Sequence, residues 1–237
     1  YLKGFSGKIL FPEHHLSHSA SAYYPSGFKD AAILTVDGVG EWVTTSISRG
    51  YGNEITILKE IHFPHSLGLL YSSFTSFLGF KVNSGEYKLM GLAPYGYENS
   101  KQTQKFINSI KSHLISIKSD GSFQLNLQYF KFTHTNKTCN FKKWTELFGL
   151  KKREVNSELT QPYCDLALAI QKVTEEVMLG LVKEAKRLVN SDNICIAGGV
   201  ALNCVVNGMI QRSGLFKEMY VQPASGDAGG ALGAALA

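Results

Sequence analysis

The stretch AAILTVDGVGEWVTTSISRG, Ala31 to Gly50, decides the fold. Ala31 to Asp37 is a largely apolar run that reads as a buried strand, DGVG reads as a turn, and Glu41 to Gly50 alternates like a half-buried strand. EITILKEIHF, Glu54 to Phe63, supplies a third strand, so residues 31–63 are expected to form an antiparallel meander. Upstream, GKILF (7–11) is a short strand candidate. Between it and the meander, the small residues of Ser17 to Tyr24 are compatible with a helix that ends at Pro25.

Downstream, SLGLLYSSFTSFLGF (66–80) is apolar at helical spacing, and SGEYKLMGLAPYG (84–96) reads as a glycine-rich loop. Residues 97–160 lose periodicity and are read as an insertion with a helix over 101–117 and a strand over 122–132. Apolar residues at 166, 170, 173, 177, 181, 185 and 188 mark one face of a long helix from Tyr163 to about Val189. NICIA (193–197) is a strand and GVALNCVVNGMIQRSG a helix entered through Gly198 and Gly199. EMYVQ (218–222) is another strand before a glycine turn and a last helix. This alternation is an α/β layout, and a meander followed by helix and strand units suggests half of a two-lobed fold. The expected organisation is residues 1–96 as a partial first lobe, 97–160 as a basic insertion and 161–237 as a partial second lobe.

Of the 237 residues, 44% are hydrophobic and 18% charged, and no apolar run reaches the roughly 20 residues of a membrane-spanning helix. Cys139, Cys164, Cys195 and Cys204 show no C-x-x-C spacing, which argues against a disulfide framework and suits a reducing, cytoplasmic setting. Residues 99–160 hold eleven Lys or Arg against four Asp or Glu, a balance of +7 within a total of +5, so the rest carries −2. Such a segment is a solvated basic surface or one that attracts an anion, and no nucleic-acid motif accompanies it. The chain starts at Tyr1 without a signal sequence and stops inside a helical pattern, so both ends read as cuts through a longer protein.

Four segments carry residues suited to chemistry. In EHHLSHSAS, Glu13 to Ser21, His14 and His18 are four apart and project from one helix face, as His15 and His18 do at three. They read either as metal ligands or as hydrogen-bonded histidines, and His15 stands where a zincin protease has its glutamate. Asp37 ends a strand before Gly38 and Gly40, which let a ligand approach the chain closely. It is either a ligand-binding carboxylate or an Asp-Gly turn. AGGVALN (197–203) and SGDAGG (225–230) place Gly198, Gly199, Asn203 and Gly226 at strand-to-helix turns that suit a nucleotide or another anion, though neither matches Walker A or G-x-G-x-x-G. Asp227 reads as a helix cap or as a second carboxylate for an ion held by His14 and His18. Glu86 and Lys88 are substrate-facing candidates or a solvated ion pair.

Taken in order, EHHLSHSASAYYPSGF, VDGVGEW, GEYKLMGLAPYG, AGGVALNC and SGDAGGALGAA resemble the NodU/TobZ-type carbamoyltransferases over most of the chain, residues 97–160 carrying little of the likeness. The resemblance implies a two-lobed fold of the actin, sugar kinase and heat-shock ATPase type, truncated at both ends. It implies transfer of a carbamoyl group from carbamoyl phosphate, through a carbamoyl-adenylate made with ATP, to a hydroxyl of a sugar or antibiotic-like acceptor. It implies a divalent metal, Fe2+ first, held by His14, His18, Asp37 and Asp227, with Gly198, Gly199 and Asn203 along the adenylate and Gly38, Gly40 and Gly226 as further cofactor contacts. Glu86 and Lys88 would stand on the acceptor side, and an adenylate-forming domain would follow Ala237. Threonylcarbamoyl transfer to tRNA and a non-catalytic nucleotide-binding module are the alternatives within the same fold.

Overall fold

A computed structural model describes residue 4 and residues 6–237. Helix α1, His14–Ser26, precedes a meander of β1 (Asp30–Val36), β2 (Val43–Tyr51) and β3 (Glu54–His62). Then come α2 (Leu67–Phe77), α3 (Glu86–Leu92), α4 (Lys101–Ser109), a short hairpin of β4 (Ile115–Ile117) and β5 (Phe123–Leu125), and α5 (Phe141–Phe148). The long α6 (Gln161–Val189) leads into β6 (Asn193–Ala197), α7 (Cys204–Arg212), β7 (Glu218–Val221) and α8 (Asp227–Leu236).

The central sheet runs β3-β2-β1-β6-β7. β1 pairs antiparallel with β2 but parallel with β6, opposite Ile194 to Ala197, and β6 is parallel to β7. One mixed sheet therefore takes strands from residues 30–62 and from residues 193–221. β1 lies in its middle and is buried from Ala31 to Val36, because a strand covered on both faces has no water-facing side to make polar. Two helices end as their sequences dictate: α1 passes through Pro25 to left-handed Gly27, and α6 stops at left-handed Asn190.

Four expectations are corrected. GKILF forms no strand: Ile9, Leu10 and Phe11 are 46%, 70% and 88% exposed, and the segment pairs with no strand among the described residues, so it has no ladder to join. Residues 84–96 are not a loop but α3 and a 3-10 turn, with Leu89 and Leu92 buried; Gly85 and Gly91 masked that short periodicity. The 101–117 helix stops at Ser109, passes through one π turn and ends in β4. The 122–132 strand is cut to three residues, and α5 was not foreseen.

The segment between 97 and 160 is more than a basic surface. Its lysines stay outside while Phe106, Ile110, Phe130, Trp144 and Phe148 join Phe74 and Phe77 of α2 in the main core. The Trp144 ring lies 4.6 Å from Phe74 and 5.6 Å from Phe148, and its Nε1 donates to the Tyr129 carbonyl at 3.0 Å. No helix among the described residues is long and apolar enough to cross a membrane.

Candidate metal centre

Three parallel or near-parallel chain passages end on one rim of the sheet. β1 delivers Asp37, β6 delivers the Gly198–Gly199 turn, and β7 leads through Gln222 into α8, whose first residue is Asp227. α1 crosses this rim and presents His14 and His18 one turn apart.

The four side chains meet. His14 Nε2 lies 3.0 Å from Asp37 Oδ2, 3.0 Å from His18 Nε2 and 3.6 Å from Asp227 Oδ1. His18 Nε2 lies 3.5 Å from Asp37 Oδ2 and 3.7 Å from Asp227 Oδ1. One donor atom from each residue falls within 4.8 Å of all the others. Donors about 2.0–2.2 Å from a shared ion stand roughly 2.8–3.6 Å apart at octahedral or tetrahedral angles, close to the 3.0–3.7 Å of these contacts.

Protons alone fit the arrangement poorly. An imidazole nitrogen carries either one hydrogen or one in-plane lone pair. If both Nε2 atoms carry hydrogens, they face each other at 3.0 Å; if either is bare, its lone pair faces a carboxylate. A cation among the four satisfies every contact at once, and two imidazoles with two carboxylates are a donor set for iron, manganese or zinc.

The surroundings differ from donor to donor. Burial by itself would raise the Asp37 carboxyl, but bonds from His14, His18 and the backbone N–H groups of Gly199 and Gly38 hold it well below the usual carboxylate range. Gly199 N donates to Asp37 Oδ1 at 2.9 Å, which leaves Oδ2 for the histidines. The same Asp37 bond raises the proton affinity of His14 against the opposing effect of burial. His15 turns away: its Nδ1 meets Ser46 Oγ at 2.9 Å, and burial pushes it down to about 4, so it is a structural histidine of the meander. His18 is 1% exposed and belongs to the interior, which its helical spacing did not reveal.

The glycines divide by role. A Cβ on Gly40 would fall onto the His14 ring, so this glycine gives the imidazole its space. Gly198 has φ +88° against the Val36 carbonyl and turns the chain out of β6. Gly226 precedes α8, and Asn203 caps α7 by accepting from Val206 N while pairing with the buried amide of Gln171. Glu86 and Lys88 sit on α3, apart from these bonds. The Glu86 carboxylate accepts from Ser72 Oγ and from the N–H groups of Asn83 and Gly85, whereas Lys88 is exposed beside the Tyr87 ring.

The cluster opens into a cleft of about 370 Å³ lined by Pro12, His14, Ser17, His18, Gly40, Glu41, Asp227 and Gly230. Glu41 was not among the sequence candidates, although it lies in the quoted VDGVGEW. A more open groove of about 440 Å³ on α4, with Lys101, Lys105 and His113, gathers no comparable donors.

Comparison with known proteins identifies the family. The family described as carbamoyltransferase N-terminus matches residues 2–236. An uncharacterized protein of Synechocystis is 55% identical over 96% of this chain and 36% of its own length. Nodulation protein NolNO of Sinorhizobium fredii is 34% identical over 97% of the chain and 31% of itself, and nodulation protein NolO of Bradyrhizobium diazoefficiens is 31% identical over 94% and 37%. The chain spans about a third of the length of these relatives.

Proposed function

The chain belongs to the carbamoyltransferase N-terminus family, and from that premise we propose that it is the metal-holding part of an O-carbamoyltransferase. In this reading His14, His18, Asp37 and Asp227 bind one divalent ion, with Fe2+ the first candidate. Carbamoyl phosphate and ATP are the co-substrates and carbamoyl-adenylate the activated species. The acceptor is a hydroxyl of a sugar or antibiotic-like molecule. The two-lobed organisation of the actin and sugar kinase type and a cytoplasmic location belong to the same reading, the latter supported by three buried free cysteines and one exposed.

The observation that carries it is the convergence of four donors from three separated segments into one 4.8 Å cluster at the wall of a cleft. When bound, such an ion supplies Lewis acidity toward a carbonyl or phosphoryl oxygen. The chain's own groups do the rest. Gly199 N–H fixes the rotation of the Asp37 carboxylate, Gly40 leaves room for the His14 ring, and the turns after β6 and β7 offer backbone N–H groups to an anion. Glu41 lines the cleft, is exposed and stands in no ion pair among the described residues, and in this reading it takes the proton of an acceptor hydroxyl. Glu86 and Lys88, both on α3, are acceptor-side groups in this reading.

The direct test is metal content by mass spectrometry of protein purified without a metal-chelating tag, beside the His14→Ala/His18→Ala variant. Close to one equivalent in the wild type and none in the variant is expected. Carbamoyl transfer by the full-length protein is then the assay of the activity. A wild type that takes up no iron, manganese or zinc when offered each in turn would overturn the metal reading.

A further inference from the structure

The four donors are not equally anchored. Asp37 and His18 are buried and His14 is held by its bond to Asp37, but the Asp227 side chain is 83% exposed and accepts no hydrogen bond among the described residues. Its position comes wholly from the backbone of α8, so whatever seats α8 sets the fourth donor.

Among the contacts that hold α8 and the segment leading into it against α1, two bracket Asp227 in sequence. Before it, the Gln222 amide donates to the Ser21 carbonyl. After it, Gly233 lies so close to α1 that a Cβ there would fall onto the Ser17 carbonyl oxygen, 2.6 Å from the carbonyl carbon and 3.0 Å from Ser21 N. These are backbone atoms of the α1 turn from Ser17 to Ser21, which contains His18, and backbone cannot swing aside as a flexible side chain can. Any side chain at 233 therefore lifts α8 bodily. Asp227 is six residues away, about 9 Å along the same helix, and moves with it. Metal donors tolerate displacements of only about 0.2 Å.

We propose that Gly233 is a positioning residue for the metal centre: its missing side chain lets α8 dock on α1 at the depth that makes Asp227 a ligand, and Gln222 is the second pin. This rests on the metal reading above. Alanine is the better helix former, so a loss of metal in Gly233→Ala reflects displacement and not a weakened helix.

The test is anaerobic titration with Co2+, read by its visible absorption, on the wild type, Gly233→Ala, Gln222→Ala, Asp227→Asn and the Gly233→Ala/Asp227→Asn double variant. Far-ultraviolet circular dichroism of the metal-free proteins checks their folding. Gly233→Ala is expected to weaken Co2+ binding by about tenfold or more, and Gln222→Ala by less in the same direction. The double variant should bind no more weakly than Asp227→Asn alone, because both act on one donor. Were Gly233→Ala not to fold, Gln222→Ala combined with Asp227→Asn gives the same cycle without added bulk. Wild-type affinity in both pin variants, or losses that simply add to that of Asp227→Asn, overturns the proposal. A wild type that binds no Co2+, or a His14→Ala/His18→Ala variant that binds it unchanged, sinks the metal reading itself and the positioning role with it. That failure shows in proteins whose Gly233 is intact.

Discussion

The cleft side of the sheet and the aromatic layer beyond α2 are built on opposite rules. Around the cleft, α1 carries Ser17, Ser19, Ala20, Ser21 and Ala22, side chains small enough for backbones to approach and for a few bonds to fix each donor. Behind α2, Phe74, Phe77, Phe106, Phe130, Trp144 and Phe148 fill space with rings 4.6–5.9 Å from Trp144 or Phe148. The first region is specified by geometry and the second by volume. A change that wrecks one should leave the other nearly intact.

The sharpest break is Trp144→Ala. Loss of a fully buried indole should lower the free energy of unfolding by about 3–5 kcal/mol in urea titrations, while the native fraction still takes up metal with unchanged stoichiometry. Asp37→Asn is the converse. Metal affinity should fall by more than the 10–100-fold typical of residues that only orient a ligand, yet the urea midpoint should move far less than in Trp144→Ala, since the Gly199 N–H keeps its acceptor. Equal loss of stability in both would erase the distinction. Gly40→Ala comes next: displacing the His14 ring should weaken metal binding by about tenfold at nearly constant stability, measured by the same titrations.

The smallest effect belongs to neither region. Glu184 takes bonds from Arg187 and Lys59, which bring its carboxyl down to about 2. A depressed carboxylate adds stability above its ordinary value near 4.5, and that stability is lost as pH falls toward about 2. Both cationic partners are exposed, so Glu184→Gln should flatten the acid limb of the stability curve by no more than about 1 kcal/mol between pH 7 and 3. A larger change would mean that the pair is part of the core.

The two regions also differed in how far the sequence displayed them. The meander, α6 and the β6 and β7 strands were legible because their apolar residues recur at strand or helix spacing. The donors His14, His18, Asp37 and Asp227 were legible mainly through resemblance, since no spacing links residue 18 to 37 or 37 to 227; only the parallel register of β1 with β6 and β7 brings them to one rim. Residues 97–160 were read as polar because lysines and asparagines are interleaved with the aromatic residues that pack inward. GKILF misled in the other direction, since a strand pattern says nothing about whether a partner exists. Gln222 and Gly233 gave no signal, because their roles lie in backbone contacts with α1, about 200 residues earlier in the chain.

The parallel register of β1, β6 and β7 has a consequence for change over evolutionary time. These strands are joined to one another by continuous parallel ladders, while Asp37, the Gly198 turn and Asp227 lie past the ladders' ends. A substitution in any of the three connections alters what meets in the cleft without unpairing a strand. A lineage could therefore retune metal preference or acceptor choice loop by loop, with the sheet as a constant platform beneath.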